Sequence, residues 1–125
     1  MAVLAFANEK QKQWDSGDVH EIIKNIFRIL GMIFGGIYLT SLVRTPEQNL
    51  DVGGVPTSKH VKENCASGKA EAGDGVFFKS SITEERIESY RREHLQGIYI
   101  KYYHDDLQGR LRIHVEIETH PVILT

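Results

Sequence analysis

Cysteine is almost absent from the sequence, and so is any excess of positive charge. The chain has 125 residues and one cysteine, Cys65, so it cannot form an internal disulfide or a four-cysteine zinc site. Fifteen basic residues stand against 17 acidic ones, which leaves a formal net charge of −2 at pH 7. Because binding to a nucleic-acid backbone requires a clear basic excess, nucleic acid is not an expected partner.

Long hydrophobic runs are missing as well. A membrane-spanning helix needs about 20 mainly apolar residues, and the most apolar stretch, residues 22–43, is interrupted by Lys24 and Arg28. The N-terminus is apolar, but it lacks the basic region that opens a signal peptide and is interrupted by Glu9. We therefore expect no membrane span and no signal peptide, and synthesis in the cytoplasm.

The composition is otherwise that of an ordinary globular protein. Hydrophobic residues make up 41% of the chain and charged residues 26%, which predicts one domain over residues 1–125. Residues 1–17 are predicted to form an N-terminal arm or a short helix. Six histidines are a mild enrichment, and they are the one compositional feature that points to chemistry.

Hydrophobic spacing predicts two helices. Apolar residues recur every three or four positions after Asp18, which has the character of an N-cap, and Gly35 ends this first helix. Ser81, followed three residues later by Glu84, predicts the start of a second helix that ends near His94.

Four strands are predicted from β-branched and aromatic runs between turn residues. The last two are joined by residues 104–109, which predicts a hairpin, and residues 44–73 are predicted to be a long loop with at most one short helix. The expected fold class is α+β, a small, mostly antiparallel sheet packed with helices. The predicted strands span residues 37–43, 75–79, 98–103 and 111–117.

Several blocks of the sequence match a known signature in order. Thr-Ser-x-x-Arg-Thr-Pro begins at Thr40, a Gly-Gly pair and Ser-x-His end at His60, a Gly-x-Ala segment leads to Asp74, and His-Val-Glu-Ile begins at His114. These blocks resemble the signature of the zinc D-alanyl-D-alanine peptidases, peptidoglycan carboxypeptidases and endopeptidases that share a fold with the Hedgehog signalling domain. The resemblance covers about residues 37–118, nearly two-thirds of the chain.

The resemblance implies a zinc site and a substrate residue. His60, Asp74 and His114 would hold Zn²⁺, three protein ligands with one position left open. The metal would lower the pKa of a bound water to about 7 and polarise the scissile carbonyl. Arg44 would bind a substrate carboxylate or polarise the peptide carbonyl, and Ser58 would orient the loop or the substrate. The implied partner is a peptidoglycan peptide.

Three departures from the family pattern leave alternatives open. The interval between His60 and Asp74 is longer than in many members, so Glu71 is an alternative second ligand. Leu111 stands where the family has an acidic catalytic base, and some members have another histidine where this chain has Arg112. The alternative bases are Glu116, on the same strand face as the last histidine, and the hairpin acids Asp105 and Asp106.

The sequence thus favours a single-domain zinc peptidase that cleaves a cell-wall peptide, acting in phage lysis or in a virion. An inactive binding or virion structural module that keeps the fold is the alternative, and a small α+β interaction domain is a third. The oligomeric state stays open. The remaining histidines are predicted to be surface residues and Cys65 a bystander thiol; these histidines are His20, His94, His104 and His120.

Overall fold

A five-stranded sheet organises the molecule in the computed structural model, which describes residues 3–125. The strands within these residues are β1 (Leu4–Phe6), β2 (Ile37–Ser41), β3 (Ala72–Phe77), β4 (Leu95–Gln96), β5 (Ile98–Tyr103), β6 (Arg112–Ile117) and β7 (Ile123–Leu124). The main sheet has the order β1-β2-β3-β6-β5, and β4 and β7 pair separately. Only β1 and β2 run parallel within the main sheet. The predicted α+β class with a mostly antiparallel sheet is confirmed, and so is the hairpin of β5 and β6.

The helices are α1 (Lys10–Asp15), α2 (Glu21–Phe34), α3 (Pro46–Asp51) and α4 (Glu84–His94), with a single 3₁₀ turn at Lys62–Asn64. The long helix α2 buries its apolar side against the sheet, as its periodicity predicts. Phe27 packs onto Gly73 of β3, where a Cβ atom would lie 2.6 Å from the phenyl ring. Helix and sheet therefore approach closely only because residue 73 has no side chain. Within residues 3–125, no helix is long and apolar enough to cross a bilayer.

The predicted helix starts need correction. The ring of His20, not the carboxylate of Asp18, caps α2, because Nδ1 accepts a hydrogen bond from the Ile22 amide at 3.1 Å. Asp18 instead forms an ion pair with Lys62. In α4 the hydroxyl of Thr83, not Ser81, accepts the capping hydrogen bond. Each predicted cap lies two residues before the observed one.

The N-terminal segment and the start of β3 are more regular than the sequence predicts. The region expected to be an N-terminal arm or short helix contains both the short helix α1 and the strand β1, which pairs in parallel with β2. The long loop contains the short helix α3, as the prediction allowed, and this helix begins at a capping box formed by Thr45 and Gln48. Strand β3 starts at Ala72, earlier than predicted, because its glycines and Asp74 hid a strand whose residues are all buried.

Residues on alternate positions of the sheet divide it into two faces. The face toward the helices, called the core face below, is apolar and belongs to the main hydrophobic cluster. The opposite face, called the cleft face, is polar and is covered in part by residues 44–71. The core face includes Ile98, Ile100, Ile113, Val115 and Ile117, and the cleft face includes Asp74, Lys101, Arg112, His114 and Glu116.

Candidate metal centre

The first histidine of the site is fixed by its own loop. His60 is 2% exposed, its backbone amide donates to the hydroxyl of Ser58 at 3.2 Å, and its carbonyl accepts from the Arg44 amide at 2.9 Å. On the ring, Nδ1 lies 2.6 Å from the carbonyl oxygen of Leu42. Because a carbonyl can only accept, Nδ1 bears the proton and Nε2 presents its lone pair to the cleft. Ser58 thus holds the loop that presents this histidine.

The other two predicted ligands lie side by side on neighbouring strands. Asp74 of β3 and His114 of β6 are direct register partners, so their side chains project from the same face of the sheet. Oδ1 of Asp74 lies 2.8 Å from Nδ1 of His114, and Oδ2 lies 3.2 Å from Nε2 of His60. The fold therefore brings together two residues 40 positions apart and a third from the covering loop.

One nitrogen of this group has no hydrogen bond. Nε2 of His60 is buried and without a hydrogen-bond partner among residues 3–125; the carboxylate of Asp74 is close, but it cannot donate to a nitrogen that presents a lone pair. Leaving such an atom unsatisfied costs about 1–3 kcal/mol. Ligand atoms from His60, Asp74 and His114 all lie within 4.8 Å of one another. Two imidazole nitrogens and a carboxylate suit a divalent transition metal, and a metal ion would satisfy the unpaired nitrogen.

A second carboxylate stands behind His114. Oε1 of Glu116 lies 2.7 Å from Nε2 of this histidine, and Nζ of Lys59 lies 3.6 Å from Oε2 of Glu116. Lys59 also donates to the carbonyl of Ile117, so it ties the loop of His60 to β6. A carboxylate on the far nitrogen of a metal-binding histidine fixes the ring and its tautomer. Lys59 was not among the residues expected to act at the site.

Hydrogen bonds within the group shift the pKa values of its side chains. Burial alone would lower the pKa of His114, but hydrogen bonds to Asp74 and Glu116 outweigh it and raise the pKa to about 9. Burial would raise the pKa of Asp74, yet the hydrogen bond from His114 outweighs it and holds that pKa well below its usual range. The hydrogen bond from His114 lowers the pKa of Glu116. Because a metal takes the lone pair of an imidazole nitrogen, its binding must release the proton on Nδ1 of His114.

The arginine expected to bind substrate lies at the edge of the group. Nη2 of Arg44 is 3.6 Å from Oδ2 of Asp74, and Nη1 donates to Oδ1 of Asn49 at 3.3 Å. Asn49, only 3% exposed, also donates to the Val55 carbonyl at 2.7 Å. A side chain on Gly54 would overlap the amide of Asn49. Asn49 therefore holds both the arginine and the Gly-Gly turn. Its position between Pro46 and the glycines was the only signal in the sequence, and it does not reveal these contacts.

The three ligands lie on the floor of a cleft of about 730 Å³. One wall is the loop that contains the glycine turn, and the other wall is the outward side of β5. Residues that line the walls are Gly53, Gly54, Val55, Thr57, Tyr99, Lys101 and Tyr103.

Some predicted residues lie away from this cleft. Asp105 forms a two-point ion pair with Arg112 at 2.8 and 3.1 Å, and Asp106 forms one with Arg110; neither aspartate is among the residues that line the cleft. Of the three candidate bases, only Glu116 lines it. Leu111, at the position where the resemblance led us to expect an acidic base, is buried in the core.

The alternative ligand and the remaining histidines are also outside the group. Glu71 is 6% exposed, but its carboxylate accepts from Ser67 at 2.8 Å and it is not among the three grouped ligands. Cys65 and the four other histidines are not members of the group either. His104 and His120 are exposed, as predicted, whereas His20 and His94 are partly buried.

Comparisons of the chain with protein-family models, with curated proteins and with solved structures give no significant match.

Proposed function

We propose that the protein is a zinc-dependent hydrolase that cleaves a peptide bond in peptidoglycan, with the fold shared by D-alanyl-D-alanine peptidases and the Hedgehog signalling domain. The observation that supports this most strongly is the buried Nε2 of His60, which lacks a hydrogen-bond partner within residues 3–125 and faces the carboxylate of Asp74. Three protein ligands at the floor of an open cleft are typical of a hydrolytic rather than a structural zinc site.

The residues of the cleft would have different roles in the reaction. His60, Asp74 and His114 would hold the ion, which when bound supplies Lewis-acid activation of water and of the scissile carbonyl. Arg44 offers a rigid, always charged guanidinium to a substrate carboxylate or to the carbonyl oxygen. In the reaction, water adds across the peptide bond, so that a carboxylate forms on one product and an amine leaves with the other.

Glu116 is the candidate general base because it is the only one of the three alternative acids that lines the cleft. Its Oε1 faces His114 and its Oε2 faces Lys59. To take a proton from water, the carboxylate would have to turn from the ring toward the open side of the cleft.

A second candidate function is a metal-dependent binding module, inactive in hydrolysis, such as a structural component of a virion. The observation that favours it is the shortage of carboxylates in the cleft that could act as a general base. Leu111 is buried where the family has its base, and Asp105 and Asp106 are paired with arginines outside the cleft. Either function is compatible with action on the cell wall during phage lysis or from a particle.

Digestion of purified peptidoglycan by the zinc-loaded protein separates the two functions. A peptidase is expected to release peptides with new amine and carboxylate ends, detected by mass spectrometry; a chelator should stop the release and added zinc restore it. His114→Ala should be inactive, and His120→Ala, a change at an exposed histidine, should be active. Stoichiometric zinc without any new ends would refute the peptidase and favour the binding module.

A further inference from the structure

One wall of the cleft has a positive charge that no carboxylate of the described chain neutralises. Four cationic side chains line the cleft, against the two carboxylates of Asp74 and Glu116. Three of these cations face an acid: Arg44 faces Asp74, Lys59 faces Glu116, and Arg112 faces Asp105. The fourth, Lys101, has no carboxylate within ion-pair distance among residues 3–125.

Strand register places this lysine next to the metal ligands. Lys101 of β5 is the direct partner of His114, which is in turn the direct partner of Asp74. Side chains of such partners have Cβ atoms about 5 Å apart. Lys101 therefore lies on the strand next to that of His114 and level with this ligand.

Aromatic rings frame the lysine on its own strand. Tyr99 and Tyr103 occupy the alternate positions of β5, on the same face, and both line the cleft. Nζ of Lys101 lies 5.2 Å from the ring centre of Tyr103, while the guanidinium of Arg112 lies 3.9 Å from that ring. An ammonium group has three hydrogen-bond donors, so contact with the face of one ring leaves donors free for an acceptor.

The whole chain is slightly acidic, with a net charge of −2, whereas this cleft has an excess of cations that a bound divalent ion would increase. Such local concentration of one sign attracts a ligand of the opposite sign. Lysine presents a compact point charge that pairs with any anion, and the anionic groups of a peptide substrate are carboxylates.

We propose that Lys101, framed by Tyr99 and Tyr103, binds a carboxylate of the substrate peptide on the β5 side of the metal centre. This inference rests on the proposed function, since it takes the ligand of the cleft to be a peptide. Arg44 follows β2, and β2 and β5 lie on opposite sides of the β3–β6 pair. A peptide that crosses the metal centre therefore meets a cation at each side, and Lys101 selects peptides with a second acidic group.

Three matched peptides test the subsite and locate the carboxylate. The first is an acetylated peptide that contains one glutamate and ends in D-Ala-D-Ala; the second has glutamine in place of glutamate, and the third has a C-terminal amide. Binding to the zinc-loaded full chain is measured by calorimetry and cleavage by product analysis, for wild type and for Lys101→Glu, Lys101→Arg and Lys79→Glu. The last variant makes the same charge change at an exposed lysine outside the cleft.

We expect Lys101→Glu to weaken binding of the first peptide by about tenfold. If the peptide is cleaved, this variant should change KM rather than kcat. Lys101→Arg should keep most of the wild-type affinity, because it keeps the positive charge. If the loss disappears with the glutamine peptide, the carboxylate is the side chain; if it disappears with the amide, it is the C-terminus. Equal weakening of all three peptides, or equal weakening by Lys79→Glu, would overturn the subsite.

The same experiment keeps the two proposals apart. Cleavage that does not depend on Lys101 refutes the subsite and leaves the peptidase intact. Binding that depends on Lys101 without any cleavage refutes the peptidase and assigns the subsite to a binding module. Absence of binding by the wild type to every peptide overturns both.

Discussion

The same strands contribute side chains to both faces of the sheet, and the two faces differ in chemical character. Along β6, the core face contributes Ile113 and Val115, which are fully buried among other apolar side chains. The cleft face contributes His114 and Glu116, which are partly buried and bound to polar neighbours. The core-face side chains are packed against other apolar residues of the chain. The cleft face, in contrast, contains a buried nitrogen with no hydrogen-bond partner among the described residues. The alternation of a β-strand thus places stability and chemistry one residue apart.

The largest expected effect lies on the core side. Phe27→Ala, which removes the ring that packs onto Gly73, should lower the free energy of unfolding by about 3–5 kcal/mol in urea titrations. Ile113→Val, a milder change in the same core, should cost about 0.5–1.5 kcal/mol. Both losses should be the same with chelator and with zinc. A loss that depends on the metal would show that the two faces are energetically coupled.

The next effect belongs to the cleft face alone. Zinc at about 100 times its dissociation constant should raise the free energy of unfolding of the wild type by about 2.7 kcal/mol, because it binds only the folded chain. His60→Ala should abolish this gain, since it removes the ligand nitrogen, while His120→Ala should keep it. A gain that persists in His60→Ala would mean that the ion binds elsewhere.

A smaller effect tests the carboxylate behind His114. Glu116→Ala should weaken metal binding by about 10- to 100-fold in competition with a chromogenic chelator, because the ring loses the partner that orients it. Glu116→Gln should lose less, since its amide oxygen still accepts from Nε2. Glu118→Ala, an exposed acid just beyond the strand, serves as the control. If Glu116→Ala binds the metal as tightly as the wild type, Glu116 does not support the metal site, and its one remaining proposed role is that of general base.

The smallest effect concerns a polar cluster at the helix side of the sheet. Glu88 of α4 binds Arg91 at 2.8 Å and accepts from the hydroxyl of Tyr102 at 2.6 Å. The hydrogen bond from Arg91 holds the pKa of Glu88 below its ordinary value of 4.5. Its stabilisation is therefore present above about pH 4.5 and is lost as the pH falls through the lower, folded-state pKa.

Glu88→Gln should accordingly destabilise the chelator-treated protein by about 1 kcal/mol at pH 7. The difference from wild type should shrink in acid, as measured by urea unfolding at a series of pH values. A difference that stays constant from pH 7 to well below 4.5 would show that the charge of this carboxylate contributes nothing.

Local periodicity accounts for what the sequence predicted correctly. The apolar spacing of α2 and the alternation of β5 and β6 are properties of short segments, and they define the fold class and the face that bears His114. Strand β1 escaped prediction because its three residues are held by pairing with β2, 33 positions further along the chain, rather than by any period. Strand β3 was predicted late because a glycine-rich segment with an aspartate reads as a turn.

The members of the candidate site were predictable from the sequence, but their geometry was not. The order of Arg44, His60, Asp74 and His114 along the chain indicated which side chains to examine, but not their contacts. Strand register, a tertiary property, pairs Asp74 with His114 and excludes Glu71 from the group. The roles of Lys59 and Asn49 depend on contacts with Glu116 and Arg44 that no spacing in the sequence reveals.

The most direct test of the metal centre is the metal content of the purified chain. After incubation with zinc and removal of free ion, elemental analysis should find one zinc per wild-type chain and almost none in His60→Ala or His114→Ala, with each variant shown to be folded by circular dichroism. A wild-type chain without metal, or variants that retain as much zinc as the wild type, would contradict a centre formed by His60, Asp74 and His114.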